Sequence, residues 1–433
     1  MRSSHVVLDT VDVAFDDDHA VAAAGLLLPA TLAERLGIEQ LTDEFVDLGD
    51  RPGAARPGRK LLTLVHALLA GGDCIDDVEA LRAGSTGAVL GHRVMAASTV
   101  GTWLRSFTFG HVRQLDRVLG ELLRRAWVAG AGPRDGPLTV DVDSTICEVH
   151  GHHKQGACYG YTRRLGLHPL LAFRADSGEV LHARLRKGSA NTARGIVRFV
   201  DELIARLHRA HASGELTMRM DSGFWSAKLI ARLRAHRVRY SITVRQTKTV
   251  RAAIAAITEA DWVDIGYTGD GLAQVAETPY RGDRLIVRRV RNLGDQQQLF
   301  ATWRYHAFVT DRPGTTIWLD ADHRRHAVCE LAIRDLKAGA GLAHLPSGTF
   351  TANAAWLLAA TLAHNLLRWT DRLGLGTRGQ LTVAKTIRRT LLTLPGRLTR
   401  SARRWTLHLP ARWPWAHSFT MALARLRCLP HPT

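Results

Sequence analysis

Carboxylates are scarce in this chain: 40 Asp and Glu stand against 58 Lys and Arg, a formal charge of +18. The last 60 or so residues contain no acidic residue at all and many arginines. Such an imbalance speaks against an ordinary metabolic enzyme and for a polyanionic partner, because each neutralised phosphate releases condensed counterions. An anionic membrane surface is the competing reading. Long apolar runs are also missing, and the opening MRSSHVVLDTVDVAFDDDHA lacks the charged-then-apolar layout of a signal peptide. The expectation is a soluble, cytoplasmic protein with no membrane partner. Cysteine is sparse as well. Cys74, Cys147, Cys158, Cys329 and Cys428 are scattered and odd in number, which suits reduced thiols rather than a disulfide framework.

What is present is globular. The chain has 433 residues, 46% apolar and 23% charged, enough for a large core and about two to four structural units. Residues 1–130 read as mainly helical after a short β-like start, with KLLTLVHALLA (60–70) ended by Gly71-Gly72, Asp73 as the next N-cap, and an apolar stripe through 111–128. The stretch GAGPRDGP (130–137) is a linker. Beyond it the period changes: in LTVDVDSTI (138–146) Leu138, Val140 and Val142 face one way, Thr139, Asp141 and Asp143 the other. HPLLAFRA and EVLHARLR bracket the turn Asp176-Ser177-Gly178 as a hairpin. A helix capped by Asn191, a strand (LTMRM) ending at Asp221, a helix over 226–235 and a strand (RYSITV) follow.

The order β-β-β-α-β-α-β resembles the ribonuclease-H-like arrangement, in which the first and fourth strands are neighbours. Asp143 and Asp221 can then meet despite roughly 80 intervening residues. Residues 247–319 are strand-rich and read as a β insertion, and helices resume at 320–338 and 352–372. The expected fold class is mixed α/β (α+β). A ribonuclease-H-like catalytic domain (137–372) is interrupted by the β insertion and flanked by a helical amino-terminal region (1–130) and a basic carboxy-terminal tail (373–433).

Three carboxylates carry the chemistry. In-line displacement at phosphorus can use two divalent ions that activate the attacking oxygen and stabilise the leaving one, and hard ions such as Mg²⁺ want oxygen ligands from converging elements. Asp143 lies in mid-strand, Asp221 ends a strand before Ser222-Gly223, and Glu330 lies within a helix. Around Glu330 the stripe His323, His326, Glu330, Arg334, Lys337 runs at three- and four-residue steps, while Cys329, Ile333 and Leu336 suit the core. A solvated face with salt-bridge partners is the plainer reading of that helix alone. Asp141 rivals Asp143, since it shares a strand face roughly 7 Å away.

These segments, DVDST, RMDSGFWS and CELAIRDLK, resemble the insertion-sequence transposases of the DDE class, in the cut-and-paste group with a β insertion before the glutamate. GLLLPATLAERLG, AGGDCIDDVEALRAG, STVGTWLRSFTFGHVRQLD and LPARWPW extend the likeness over nearly the whole chain. The resemblance implies Asp143, through its Asp-x-Thr pattern, with Asp221 and Glu330 as catalytic metal ligands for two Mg²⁺ or Mn²⁺ ions. It implies DNA contacts from His323, Arg324, His326, Arg334 and Lys337, although His323 and His326 replace the group's tyrosine and arginine. It also implies that Trp303 or Trp318 holds a flipped base, against a plainer role in packing. Partners would be the element's terminal inverted repeats and target DNA, bound by a homodimer in a bacterial cytoplasm, through a hairpin intermediate. Thr99–Phe107 and the segment after it are candidates for reading the repeats, and the tail for backbone contact. Cys147, His150, His152, His153 and Cys158 suggest zinc, but their spacing is not that of a paired-ligand module.

Overall fold

The computed structural model describes residues 11–151, 153–160, 163–266, 271–292, 303–377 and 381–431. The β-like start falls largely outside these residues, as does His152. Early in the chain, α1 (Pro57–Ala70) begins with proline at its first turn and ends on Gly71 in a left-handed conformation (φ 114°), a terminator glycine adopts without strain. Next come α2 (Ala97–Arg105) and α3 (Phe109–Ala126), the latter opened by a reciprocal cap between Thr108 and His111. Asp73 does not cap a helix. Its N–H and that of Cys74 are instead bound by Asp77 Oδ2, at 2.8 and 2.9 Å.

The central sheet begins with β1 (Leu138–Ser144), β2 (Leu170–Arg174) and β3 (Val180–Arg184), a consecutive antiparallel set. After α4 (Ile196–Arg209) comes β4 (Leu216–Met220), parallel to β1, then α5 (Ala227–Ala235) and β5 (Arg239–Thr243), parallel to β4. The strand order 3-2-1-4-5 with this mix of directions is the ribonuclease-H-like topology. The helix α4 starts four residues later than Asn191 as its cap suggests. Gly195 sits at φ 80°, and the carbonyls of Asn191, Thr192 and Arg194 are taken by Arg186, so the segment before it is turn.

Four further strands, β6 (Val263–Ile265), β7 (Gly271–Tyr280), β8 (Asp283–Asn292) and β9 (Arg304–Thr310), form an antiparallel ladder. The ladder is not a separate lobe: β9 pairs with β5, Phe308 opposite Thr243, and extends the same sheet. The chain returns through α6 (Thr316–Arg324), a tight turn at Arg325–Ala327, α7 (Val328–Gly339) and α8 (Phe350–Trp369).

Apolar on all sides and buried almost throughout, α8 is a core helix by composition. It packs on α1, α2, α3 and β3, so one hydrophobic core joins the amino-terminal helices to the sheet. Polar locks reinforce this joint. Buried Glu179 accepts from Trp127 Nε1 (3.0 Å), Trp369 Nε1 (2.6 Å) and Arg174 Nη1 (3.2 Å), uniting three distant segments. Near the end, residues 396–408 form a two-stranded hairpin and α9 (Ala416–Arg427) closes the fold, where charge alone had suggested only a basic tail. Among the described residues no helix is long and apolar enough to cross a membrane.

Candidate active site

The parallel register sets the two aspartates side by side. Val142 lies opposite Met220, so the next residues, Asp143 and Asp221, are neighbours at the carboxyl ends of β1 and β4. Parallel strands lie about 4.8 Å apart and paired positions share a face. Two residues earlier on that face, Asp141 lies opposite Arg219, which lies opposite Ser241. The rows thus read Asp141, Arg219, Ser241 and then Asp143, Asp221, Thr243.

Two cross-links lay the Glu330 helix along this face. His326 Nδ1 is 2.9 Å from Asp141 Oδ1, and Lys337 Nζ donates to the Ile146 carbonyl at 2.7 Å. His326 lies in the turn leading into α7 and Ile146 two residues past the end of β1, so the helix runs alongside the strand from Asp141 to just beyond its end. Glu330, about 6 Å beyond His326, is therefore level with Asp143. The electrostatics agree. Burial pushes the Asp143 carboxyl up to about 6, the backbone N–H of Ser144 and the charge of His326 act in the opposite sense, and the charges of Asp221 and Glu330 raise it further.

Asp141 and Asp143 differ sharply in their partners. Asp141 is buried, with Arg219 bound through both oxygens at 2.7 and 2.8 Å and His326 on one of them. Arg219 also donates to the Asp322 carbonyl at 2.6 Å, and Asp322 pairs with Arg312. Among the described residues Asp143 accepts only from the N–H of Ser144 and Asp221 only from that of Gly223, and neither they nor Glu330 has a cationic partner. A hard divalent ion suits this donor set: three oxygen ligands, adjacent, like-charged and uncompensated. The three do not all close to within 4.8 Å of one another. Gly223 matters through space rather than backbone angle. A Cβ there would stand 2.7 Å from Thr192 and 3.1 Å from the Asp221 carboxylate.

The remaining candidates separate by geometry. Arg334 is exposed, while Arg324 is paired with Asp320 at 2.9 Å. His323 turns inward: Nδ1 meets Ser241 at 2.7 Å, Nε2 meets Thr243 at 3.0 Å, and the ring stacks on Phe308 at 4.0 Å. Neither nitrogen is left for a phosphate. Trp303 is half-buried, with the guanidinium groups of Arg289 and Arg291 at 4.5 and 5.2 Å from its ring. Trp318 is half exposed, with Arg312 at 4.8 Å. Cys147 and Cys158 lie in strands that flank Leu165–Leu167 in a small sheet, and among the described residues the loop's cysteines and histidines form no metal-sized group. The group that does, Asp73, Cys74 and Asp77, is accounted for by the turn that Asp77 holds.

Arg219, Asp322 and Arg312 escaped the sequence reading. The signal for Arg219 was parity: it precedes Asp221 by two in a strand, as Asp141 precedes Asp143.

A pH effect follows from the inward histidines. Burial, reinforced by His326, Arg219, Arg288 and Arg312, pushes His323 down to about 3. Burial and then Arg368 push His364 down to about 4, against the opposing charge of Asp335. Both stay neutral in the fold, whereas the unfolded chain takes up protons below about pH 6.5. Their contribution is complete above that pH and is lost as pH falls toward 4 and 3, by up to about 1.4 kcal/mol per pH unit for each. Urea titrations between pH 7 and 5 are expected to show this slope, and His323→Gln to lessen it. An unchanged slope in that variant would count against a neutral, enclosed His323.

Fold and carboxylates together define a ribonuclease-H-like protein with an acidic site at the ends of β1 and β4. The chain belongs to a transposase family: the model for Transposase DDE domain group 1 matches residues 4–431. Among solved structures it is similar to the piggyBac transposase in its synaptic complex with hairpin DNA, at 10% identity and a TM-score of 0.47, over 86% of this chain and 79% of that one. No curated protein matches it.

Proposed function

We propose that the chain binds the terminal inverted repeats of its own insertion sequence and catalyses their metal-dependent cleavage and joining to target DNA. The observation that carries this reading is an Asp143 that feels the charges of both Asp221 and Glu330 with no cation paired to it among the described residues, beside an Asp141 paired with Arg219 and His326. Asp143, Asp221 and Glu330 would hold two Mg²⁺ or Mn²⁺ ions, which when bound supply Lewis-acid activation of the attacking oxygen and neutralise charge on the leaving one. The protein's own part is positional. The Asp141–Arg219 pair fixes the face of the sheet, His326 and Lys337 fix the helix above it, and exposed Arg334, one turn beyond Glu330, is placed to hold a phosphate.

Water attacks at the element's end to free a 3′-hydroxyl, which attacks the opposite strand to give a hairpin. The hairpin is reopened, and the released end attacks target DNA. No covalent protein intermediate forms. Trp303 is the candidate platform for an unstacked base, and two ends joined in concert imply a dimer on DNA. The test is incubation of the purified chain with labelled duplexes from the element's ends and a supercoiled plasmid, with Mg²⁺ or EDTA. Joined product with Mg²⁺ alone is expected. Cut ends that never join would mark a nuclease, and binding without nicking a silent relative.

A further inference from the structure

The hairpin at residues 396–408 is built to project charge. Its strands, β10 (Gly396–Ser401) and β11 (Arg404–His408), are rooted where Gly396 and Arg397 pair with Val21 and Ala20. Leu398, opposite Leu407, closes on Val21, Ala24 and Val89. Beyond that plug nothing packs: residues 400–406 are all exposed, including Arg400, Arg403, Arg404 and Trp405, the last 55% accessible. At the turn, Ala402 takes φ 53°, a left-handed conformation that costs a non-glycine residue roughly 1 kcal/mol. Arg400 lies 5.3 Å over the Trp405 ring. Of the hairpin's arginines, all among the described residues, only Arg397 at the root has an acidic partner, Asp17 at 3.6 Å.

Within the tip Arg400 Nε donates to the Ala402 carbonyl at 3.2 Å, but three like charges and a large indole on a strained turn add no contact to the body of the fold. They match a row of phosphates: arginine binds phosphate through its planar fork, and a two-stranded ribbon has the width of a DNA groove. We propose that this tip is a clamp on the backbone of duplex DNA, with Arg400, Arg403 and Arg404 on phosphates and Trp405 against the sugar edge. The inference rests on the DNA-acting reading above. Because the contacts are to phosphates, the clamp is indifferent to sequence.

The test uses the full chain and fluorescence anisotropy, with labelled duplexes of the element's end and of unrelated sequence, from 50 to 200 mM salt. The triple variant Arg400→Gln, Arg403→Gln, Arg404→Gln is expected to lower the log-log salt slope by about 2.7, at about 0.9 per phosphate contact. Across that salt range the unsubstituted chain then loses about 40-fold more affinity than the variant, on both duplexes alike. The matching triple lysine variant keeps the slope. Arg403→Gln alone, which touches no packing, lowers it by about 0.9 and guards against a folding artefact. An unchanged slope in the glutamine variants would overturn the clamp. So would a loss confined to binding of anionic phosphatidylserine vesicles, which would reassign the tip to a lipid surface. Were the unsubstituted chain to bind neither duplex, the DNA reading itself would fall.

Discussion

Asp143→Asn is expected to melt above the unsubstituted chain in EDTA, below it in millimolar Mg²⁺, and to lose DNA cleavage by at least about a thousand-fold. The first shift follows from the raised Asp143 carboxyl, whose folded-state value near 6 exceeds its ordinary one. Between about pH 4 and 6 the folded chain therefore holds a proton that the unfolded chain releases. Stability falls as pH rises through that window and stays lower above it, by about 2–3 kcal/mol at neutral pH. Asparagine never ionises, so the penalty disappears. The second shift follows from mass action: an ion that binds only the folded carboxylate site raises the stability of the unsubstituted chain and has nothing comparable to bind in the variant.

The catalytic loss corresponds to about 4 kcal/mol of barrier, the scale on which a preorganised electrostatic group acts. Glu330→Gln is expected to give the same loss with a smaller melting change, because Glu330 is exposed. Melting curves with and without Mg²⁺, run beside end-cleavage assays, decide the matter. A variant that melts lower in EDTA, or still cleaves, would remove Asp143 from the proposed site.

Much of this was legible from periodicity. The alternation in 138–144, the turn at Asp176–Gly178 and the strand before Asp221 lead directly to the antiparallel trio and its parallel neighbour. Parity, however, puts Asp141 and Asp143 on one face and cannot rank them. Their difference is a register fact: Arg219 arrives opposite Asp141 on a strand far away in sequence. The helix stripe misled in a similar way. Spacing puts His323 on the Glu330 face, and that face does meet the sheet, but His323 lands over Ser241 and Thr243, whose hydroxyls occupy both ring nitrogens and leave none for a phosphate. The hairpin at 396–408 was hidden because only Leu398 and Leu407 of its inner face pack on the core, too short a pattern to outweigh the arginines around it.

Asp141→Ala is expected to do the reverse of Asp143→Asn, costing about 3–5 kcal/mol of stability while leaving a metal response intact in whatever folds. Arg219 and Asp141 are both buried, and removal of one partner strands the other charge away from water. Arg219 retains the Asp322 carbonyl and carboxylate, which offset part of the loss. His326 also loses its acceptor, so the segment carrying Glu330 loses its bond to β1 and keeps that of Lys337 to Ile146, just past the strand. Asp141→Asn keeps an oxygen for His326 and is expected to lie between: less stable by about half as much, slower in cleavage, yet still melting higher with Mg²⁺. In the double variant Asp141→Ala, Arg219→Met no charge is stranded, and a good part of the lost stability returns. The contrast with Asp143 is what identifies the two carboxylates. One is stabilising because its charge is matched, and the other is costly because its charge awaits a ligand. Loss of cleavage in Asp141→Asn together with its retention in Asp143→Asn would exchange the two assignments.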